Sequence, residues 1–201
     1  MSLLREYIRG LLRETSVLPT EQYKFPIIPY PQRGSPEAAR DLARVIHQTS
    51  NRVVPEDLQD ACDTDMQSLF EDYLVSKGLT YNLSYYEKLM EDLGPVIHTL
   101  KEFYNRPRPG DEAKKLGLPP MSDDLTSANS PSYPSGHTIQ AYVIALLLAE
   151  QFPDESNGLL SIAEMVAQSR VDRGVHFPSD IDFGRRIAYL IVEEMLGEHT
   201  T

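Results

Sequence analysis

The 201-residue sequence contains one cysteine, Cys62, no tryptophan and no long hydrophobic run. A lone thiol excludes an internal disulfide framework, which fits a reducing compartment. The longest apolar run, residues 141–149, falls well short of the ~20 residues that a membrane-spanning helix needs. Charged side chains interrupt the first fourteen residues, so the apolar core of a secretory signal is missing. We expect a soluble cytoplasmic protein without a membrane span; an exported mature form, its signal removed, stays open.

Net positive charge is also lacking, since the formal net charge at pH 7 is -11. General nucleic-acid binding needs a broad basic surface, so the charge balance argues against it. A small anionic substrate can still bind where positive charge is concentrated locally. The length suits one domain with a substantial hydrophobic core, and we treat residues 1–201 as that single domain.

The first 34 residues are expected to form an N-terminal helix and a proline-rich arm. Leucines at helical spacing between charged residues predict an amphipathic helix over residues 2–14. Its apolar stripe could pack on the domain's own core or on a second copy, which makes this helix the candidate contact for a homo-oligomer. The prolines of residues 18–35 favour extended backbone, and the aromatic and aliphatic residues among them favour an ordered arm packed on the body.

Residues 35–201 are expected to form an all-α core, because helical periodicity recurs and no run alternates polar and apolar residues convincingly. Start signals are Ser35-Pro36-Glu37 and two capping boxes, Ser84-x-x-Glu87 and Ser179-x-x-Asp182. In the first of these helices, Ala39, Leu42, Ala43 and Ile46 share one face. Further helices are predicted over about 55–77, 138–151 and 159–171. Gly94-Pro95 is expected to kink or split the helix that the Ser84 capping box opens. Residues 105–132 are predicted to be a long loop.

Three groups of polar residues lie at predicted helix ends. In the first, Lys101 and Arg108 are separated by six residues, and Arg108 stands between two prolines. A lysine offers a mobile point charge, whereas a rigidly held guanidinium can donate two parallel hydrogen bonds to phosphate oxygens. The alternative is structural, because a lysine in a last helical turn also complements the helix dipole.

The second group, Pro134-Ser135-Gly136-His137, leads directly into the apolar helix predicted over 138–151. Free backbone N–H groups at a helix N-terminus attract anions, and Gly136 allows close approach of the backbone. Ser135 adds a hydroxyl, and His137 could donate a proton to a departing group. Ordinary N-capping by Ser135 is the alternative.

The third group lies in residues 169–180 and contains Arg170, His176 and Asp180. A histidine that attacks phosphorus needs a free ring nitrogen, a partner that fixes its tautomer, and cations that hold the oxygens. Asp180, four residues after His176, could be that partner, and Arg170 could be one of the cations. An ordinary surface loop remains the alternative, and Asp172 with Arg173 could be mistaken for the working pair.

Together the three groups resemble the signature of the phosphatidic acid phosphatase type 2 and vanadium haloperoxidase superfamily. That signature reads Lys-x6-Arg-Pro, Pro-Ser-Gly-His and Ser-Arg-x5-His-x3-Asp, and every position is filled between residues 101 and 180. The run SYPSGHT before an apolar helix is most similar to the class A nonspecific acid phosphatases. The resemblance implies a helical bundle with the active site between helix ends, and it selects Arg170 rather than Arg173.

The resemblance also implies a role for each matched residue. His176 would be the nucleophile, Asp180 would orient it, and His137 would protonate the leaving group and later activate water. The implied phosphate ligands are Lys101, Arg108, Ser135, Gly136 and Arg170. Neither a metal nor a cofactor is required, since these cations would stabilise the transferred phosphoryl group.

The leading hypothesis is therefore a metal-independent phosphatase that hydrolyses a small soluble phosphomonoester, with nucleotides among the candidates, through a phosphohistidine. One alternative is a vanadate-dependent haloperoxidase, in which vanadate, otherwise a mimic of phosphate, would be the cofactor in the same pocket. The other is a noncatalytic phosphate-binding protein, for which His137 and Asp180 would be unnecessary. His98, three residues before Lys101, could support the site, although helix packing is its simpler role, and His47 and His199 are predicted to lie near the surface.

Overall fold

A computed structural model describes residues 17–19, 24–121 and 125–197 of the chain. The all-α prediction is confirmed, with eight α-helices in these ranges. They are α1 (Pro36–Ser50), α2 (Glu56–Thr64), α3 (Met66–Ser76), α4 (Leu83–Tyr104), α5 (Pro109–Lys115), α6 (Gly136–Gln151), α7 (Ser156–Asp172) and α8 (Pro178–Gly197). Short 3₁₀ turns cover Thr126–Ala128 and Pro153–Glu155. The helix predicted over residues 2–14 and the site of His199 lie outside the described residues.

Helix α6 is the centre of the bundle. It is buried on nearly all sides, as its uninterrupted apolar sequence predicts, and it packs against both α7 and α8. Helices α1 and α2 pack on α7, while α4 contacts α6. The N-termini of α6 and α8 meet, because the Ser135 amide donates a hydrogen bond to the Asp180 carbonyl at 3.1 Å. None of the described helices has both the length and the apolar composition needed to cross a bilayer.

The segment before α1 packs on the bundle through aromatic residues. A two-stranded antiparallel ladder, which the sequence did not predict, pairs β1 (Val17–Pro19) with β2 (Lys24–Pro26). Phe25 is fully buried. The Tyr133 hydroxyl donates to the Ile28 carbonyl at 2.9 Å, and the Tyr104 hydroxyl accepts from the Ile28 amide at 3.1 Å. These two tyrosines hold the segment against the end of α4 and the residues that precede α6.

Several predicted boundaries are wrong. The helix predicted over about 55–77 is two helices, because Asp65 adopts φ -149° and ψ 51° between α2 and α3. Helix α4 is capped by the Asn82 side chain rather than by Ser84, and it continues through Pro95 without splitting. The long loop predicted over 105–132 contains α5, whose first residue, Pro109, has the φ that a helix start requires.

The predicted apolar face of α1 is not its buried face. Ser35 caps this helix as expected, but the buried side chains are Asp41 and Val45, while Ala39, Ala43 and Ile46 are exposed. Asp41 faces inward because it binds Arg106 and Ser179 across the interface. A buried ionic contact has therefore overridden the hydrophobic pattern.

Candidate active site

The structure brings the three groups of polar residues together where four helices end or begin. Lys101 lies in the last turn of α4, Ser135 caps α6, Arg170 lies in the last turn of α7, and Asp180 lies in the first turn of α8. Arg108 and His176 are on the connections that precede α5 and α8. All of the residues that the sequence predicted for this site therefore lie in one cluster.

His176 and Asp180 form the hydrogen-bonded pair that their spacing predicts. The Nδ1 atom of His176 is 3.1 Å from Asp180 Oδ2, and both side chains are buried. Asp180 also accepts hydrogen bonds from the Phe177 amide at 2.9 Å and from Arg106 Nη1 at 2.6 Å. Because the carboxylate accepts at Nδ1, that nitrogen carries the hydrogen and Nε2 keeps its lone pair. Burial and the charge of Arg108 place the pKa of His176 well below its usual value, so the ring is neutral.

Two cations of the cluster, Arg108 and Lys101, form no ion pair with a carboxylate in the described part of the chain. Arg108 donates through Nε to the Ser130 carbonyl at 2.8 Å and through Nη1 to the Val175 carbonyl at 2.7 Å, and Nη1 is also 2.9 Å from His176 Nε2. Lys101 donates to the Pro131 carbonyl at 2.6 Å. Burial lowers the pKa of Arg108 to about 10, and burial together with the charge of Arg108 lowers the pKa of Lys101 to about 7.

Arg170 is the third cation and is fully buried. Its Nη1 donates to Asp63 at 2.6 Å and its Nη2 donates to the Ser127 hydroxyl at 3.0 Å. Its Nε has no acceptor among the described residues. A buried guanidinium hydrogen without a partner is costly, so this atom marks a place where an external acceptor would be stabilising. Arg173, by contrast, donates to the Gln59 carbonyl and to Asp60, and Asp172 accepts from the Val53 and Val54 amides.

Ser135 and Gly136 begin α6 beside the cations. The Ser135 hydroxyl accepts from the Thr138 hydroxyl at 2.9 Å and caps the helix, so the N-capping expected of this residue is present. A methyl group added at Gly136 would approach Ile97 Cγ2 to 3.2 Å and Lys101 Cε to 3.7 Å. The glycine therefore lets the N-terminus of α6 lie directly against the side chain of Lys101.

Of the three residues with an implied catalytic role, His137 is the most exposed, with 17% of its side chain accessible. Its Nε2 atom is 2.9 Å from the Asp63 carbonyl oxygen and 3.5 Å from Asp63 Oδ1. Burial and the charge of Arg170 lower the pKa of His137 to about 4, and the Asp63 contacts oppose this shift. His137 is therefore neutral at pH 7 in the unliganded protein.

The sequence did not predict three charged residues that contact the cluster, namely Arg106, Asp41 and Asp63. Arg106 is 4% exposed, bridges Asp180 and Asp41, and stacks on the Phe177 ring with 3.8 Å between Cζ and the ring centroid. The hydrophobic pattern gave no signal for Asp41, because the apolar face that it predicted for α1 does not include this residue. No feature of the sequence distinguished Arg106 from the neighbouring Arg108, or Asp63 from the other acidic residues of α2.

The other histidines lie away from the cluster. His98 is exposed and pairs with Glu102 at 3.1 Å, so it neither packs in the helix interface nor supports Lys101. His47 is exposed, as predicted. Among the described residues, no group of three His, Cys, Asp or Glu side chains could hold a metal ion.

Comparison with known proteins relates this chain to phosphatases. A family model described as the PAP2 superfamily matches residues 88–196. The chain is 29% identical over 133 residues to an acid phosphatase of Zymomonas mobilis, which covers 63% of this chain and 50% of that protein. It is 36% identical over 101 residues to a non-specific acid phosphatase of Providencia stuartii, which covers 50% of this chain and 40% of that protein. It thus spans half or less of the length of these curated relatives.

One solved structure shares the fold. It is the crystal structure of a transmembrane PAP2-type phosphatidylglycerolphosphate phosphatase from Bacillus subtilis, with a TM-score of 0.51 at 21% identity. The superposition covers 84% of this chain and 90% of that chain. At this identity the likeness concerns the arrangement of helices alone.

Proposed function

The chain belongs to the PAP2 superfamily, and we propose on that premise that it is a phosphatase that hydrolyses small phosphomonoesters through a phosphohistidine on His176. The observation that carries the proposal is the charge around His176 Nε2. The charges of Arg108, Lys101 and Arg170 all act on this ring, although the protein as a whole carries a net charge of -11. Arg108 and Lys101 form no ion pair with a carboxylate in the described part of the chain, an arrangement that suits a dianionic phosphoryl group.

In the first proposed step, the substrate phosphate replaces the contact between Arg108 and His176 and binds Arg108, Lys101 and the unpartnered Nε of Arg170. The Nε2 lone pair of His176 then forms a bond to phosphorus while the bond from phosphorus to the leaving oxygen breaks. The bound dianionic phosphate raises the pKa of the neighbouring His137, which takes up a proton from solvent. His137 then gives that proton to the leaving oxygen, and Asp180 stabilises the positive charge that develops on His176. The amides at the start of α6 would donate to the same oxygens.

In the second proposed step, water attacks the phosphohistidine from the side that the leaving group vacated. His137, now neutral, takes a proton from the water as the new bond from oxygen to phosphorus forms. The bond between phosphorus and His176 Nε2 breaks, and inorganic phosphate leaves. The cations supply the charge stabilisation that a magnesium ion supplies in other phosphoryl transfers, so no metal enters the proposed cycle.

The proposal is tested with p-nitrophenyl phosphate in the presence of excess chelator. We expect phosphate release to persist with chelator and to fall by at least about 10³-fold in His176→Ala, because a nucleophile is removed outright. The matched control is His98→Ala, which removes an exposed histidine and should retain full activity. Loss of activity on chelation, or an active His176→Ala variant, would contradict the mechanism.

The covalent intermediate can be observed directly. With substrate labelled on phosphorus, quenching in alkali should leave label on the wild-type protein, because phosphohistidine survives alkali and is lost in acid. No label is expected on His176→Ala. Label that survives acid would point to an ester on a hydroxyl side chain instead.

The identity of the leaving group is the finer part of the proposal. A screen of phosphorylated metabolites and nucleotides, scored by release of inorganic phosphate, would rank the candidates. Vanadate-loaded protein should show no peroxide-dependent oxidation of halide, and sustained halide turnover would favour the haloperoxidase alternative. If the protein binds phosphate but hydrolyses none of these compounds, the result favours the noncatalytic alternative.

A further inference from the structure

The end of α2 contacts the proposed site through Asp63, which lies outside the residues that the family model matches. Helix α2 ends at Thr64, and α3 begins at Met66 after a break at Asp65. In a continuous helix the Asp63 carbonyl would accept the amide hydrogen of Gln67, four residues later. The break at Asp65 interrupts the helix before that bond, and the Asp63 carbonyl oxygen lies 2.9 Å from His137 Nε2.

This contact determines which nitrogen of His137 can transfer a proton. A carbonyl oxygen only accepts hydrogen bonds, so the Nε2 atom of His137 carries a hydrogen in both the neutral and the charged ring. The nitrogen that gains and loses the catalytic proton is therefore Nδ1. Asp63 fixes this tautomer by its main chain, which no side-chain substitution at position 63 removes.

The Asp63 carboxylate acts on the same ring. Its Oδ1 is 3.5 Å from His137 Nε2 and accepts from Arg170 Nη1 and from the Ser127 hydroxyl, both at 2.6 Å. Although burial raises it, the hydrogen bond from Ser127 and the charge of Arg170 bring the pKa of Asp63 below its usual value, so the group is a carboxylate.

The other charged groups that face His137 are Arg170 on α7 and Lys101 on α4, and both oppose protonation of the ring. His176, on the segment before α8, is neutral and buried. The hydrogen bond from His137 to the Asp63 carbonyl and the charge of the Asp63 carboxylate both raise the pKa of His137. The negative charge of Asp63 is what makes the imidazolium form accessible beside two cations.

We propose that Asp63 is a positioning residue of the phosphatase reaction, which holds His137 ready to donate a proton from Nδ1 to the leaving oxygen and restrains Arg170 until phosphate binds. The proposal rests on the proposed function. It implies that α2, although it contains no signature residue, determines how well the enzyme expels poor leaving groups.

The test is Asp63→Asn, which keeps the shape and the main-chain carbonyl but removes the charge. We expect kcat/KM for glycerol 2-phosphate, whose alcohol needs a proton to leave, to fall roughly tenfold or more, the effect of about one pKa unit on the proton donor. For p-nitrophenyl phosphate, whose acidic phenol leaves without a proton, we expect a change of less than about threefold. The ratio kcat/KM is the relevant readout because it reports only the steps up to and including departure of the leaving group.

Inhibition by inorganic phosphate is a second readout, and Asp63→Asn should strengthen it while kcat/KM falls. Without the Asp63 charge, Arg170 is released for an external anion, so inorganic phosphate should inhibit Asp63→Asn more tightly than wild type, by several-fold. A merely structural defect would loosen the site and weaken phosphate inhibition. In a His137→Ala background, Asp63→Asn should add nothing to the dependence on the leaving group, because the proton donor is already absent.

Asp60→Asn is the matched control. Asp60 lies on the same helix, is 85% exposed, and pairs with Arg173 at 3.0 Å rather than with the cluster. Asp60→Asn should leave kcat/KM for both substrates and the inhibition constant of phosphate unchanged. Equal loss on both substrates in Asp63→Asn, or the same pattern in Asp60→Asn, overturns the role of Asp63. If wild type releases phosphate from neither substrate, the proposed function itself fails, which is a different result.

Discussion

At the scale of single residues, Lys101 is a group of the site whose charge changes close to neutral pH. Burial and the neighbouring Arg108 lower its pKa to about 7. Its proton is therefore present below that pH and is lost as the pH rises through it. Burial lowers the pKa of His137 to about 4 and that of Arg108 to about 10, so neither of these two groups changes charge near neutral pH. An anion that binds here should accordingly sense the state of Lys101.

Sulfate is the suitable probe, because it stays a dianion across the whole range whereas phosphate itself titrates near neutrality. We expect the inhibition constant of sulfate to rise roughly tenfold from about pH 6 to about pH 8.5. Over this range Lys101 loses its proton, and sulfate loses one charge-assisted hydrogen bond, which contributes ~1.5 kcal/mol. The measurement is the sulfate inhibition constant of phosphate release at a series of pH values.

Lys101→Arg is the control for that measurement. A guanidinium keeps its proton throughout the range, so sulfate inhibition should lose its dependence on pH even if the longer side chain weakens it overall. A wild-type profile that is flat over this range would mean that Lys101 does not contact the bound anion. A profile that persists in Lys101→Arg would assign the titration to another group.

At the scale of elements, the site depends on how closely α6 and α8 approach each other. A methyl group added at Gly184 of α8 would lie 3.1 Å from the Ser135 carbonyl oxygen and 3.1 Å from Thr138 Cβ. Those atoms belong to the cap and first turn of α6, where the Ser135 amide also bonds to the Asp180 carbonyl. Gly184 therefore sets the distance between the end of α6 proposed to bind phosphate and the end of α8 that carries Asp180.

Gly184→Ala should push these two helices apart. We expect the free energy of unfolding to fall by about 1–3 kcal/mol through overpacking, and phosphate inhibition to weaken because the α6 amides move relative to His176. Denaturant unfolding and the phosphate inhibition constant are the two measurements.

Gly94→Ala is the comparison for this variant. Nothing lies within 4 Å of the added methyl position at Gly94, in the middle of α4. The free energy of unfolding should change there by less than about 0.5 kcal/mol, since the gain in helix propensity is offset by the proline that follows. Equal effects at Gly94 and Gly184 would argue against close packing as the cause.

Sequence reasoning succeeded where a feature is local. The apolar run of α6, the Ser35 cap and the spacing of His176 from Asp180 each predict their own structure, because helix periodicity and capping act within a few residues. It failed at Asp65, where the break between α2 and α3 depends on what the flanking helices pack against. It also missed Asp41, Asp63 and Arg106, because their partners are 65, 107 and 74 positions away in the chain, in Arg106, Arg170 and Asp180 respectively.

At the scale of the whole molecule, these distant contacts join the two halves of the chain at the proposed catalytic pair, His176 and Asp180. Asp41 on α1 accepts from Arg106 Nη2 at 2.9 Å, from the Ser179 amide at 3.3 Å and from the Ser179 hydroxyl. Arg106 in turn donates to Asp180 at 2.6 Å. The N-terminal half, which carries none of the signature, thereby fixes the carboxylate that orients His176.

Asp41→Ala should destabilise the protein by about 3–5 kcal/mol, because it leaves the Arg106 guanidinium buried with one carboxylate in place of two. Activity should fall as well, since Arg106 can then shift toward the vacated space and draw Asp180 away from His176. Denaturant unfolding gives the first quantity, and kcat with p-nitrophenyl phosphate, measured under conditions where the variant is folded, gives the second.

Arg40→Ala, one residue earlier on the same helix, calibrates the result. Arg40 is exposed and lies 3.7 Å from Glu37, a surface pair whose loss should cost less than about 0.5 kcal/mol. If Asp41→Ala cost no more than Arg40→Ala, the buried contact would not connect the two halves. If it cost stability but left kcat intact, Arg106 would hold the fold together without positioning Asp180, and the orientation of His176 would depend on the Phe177 amide and the start of α8 alone.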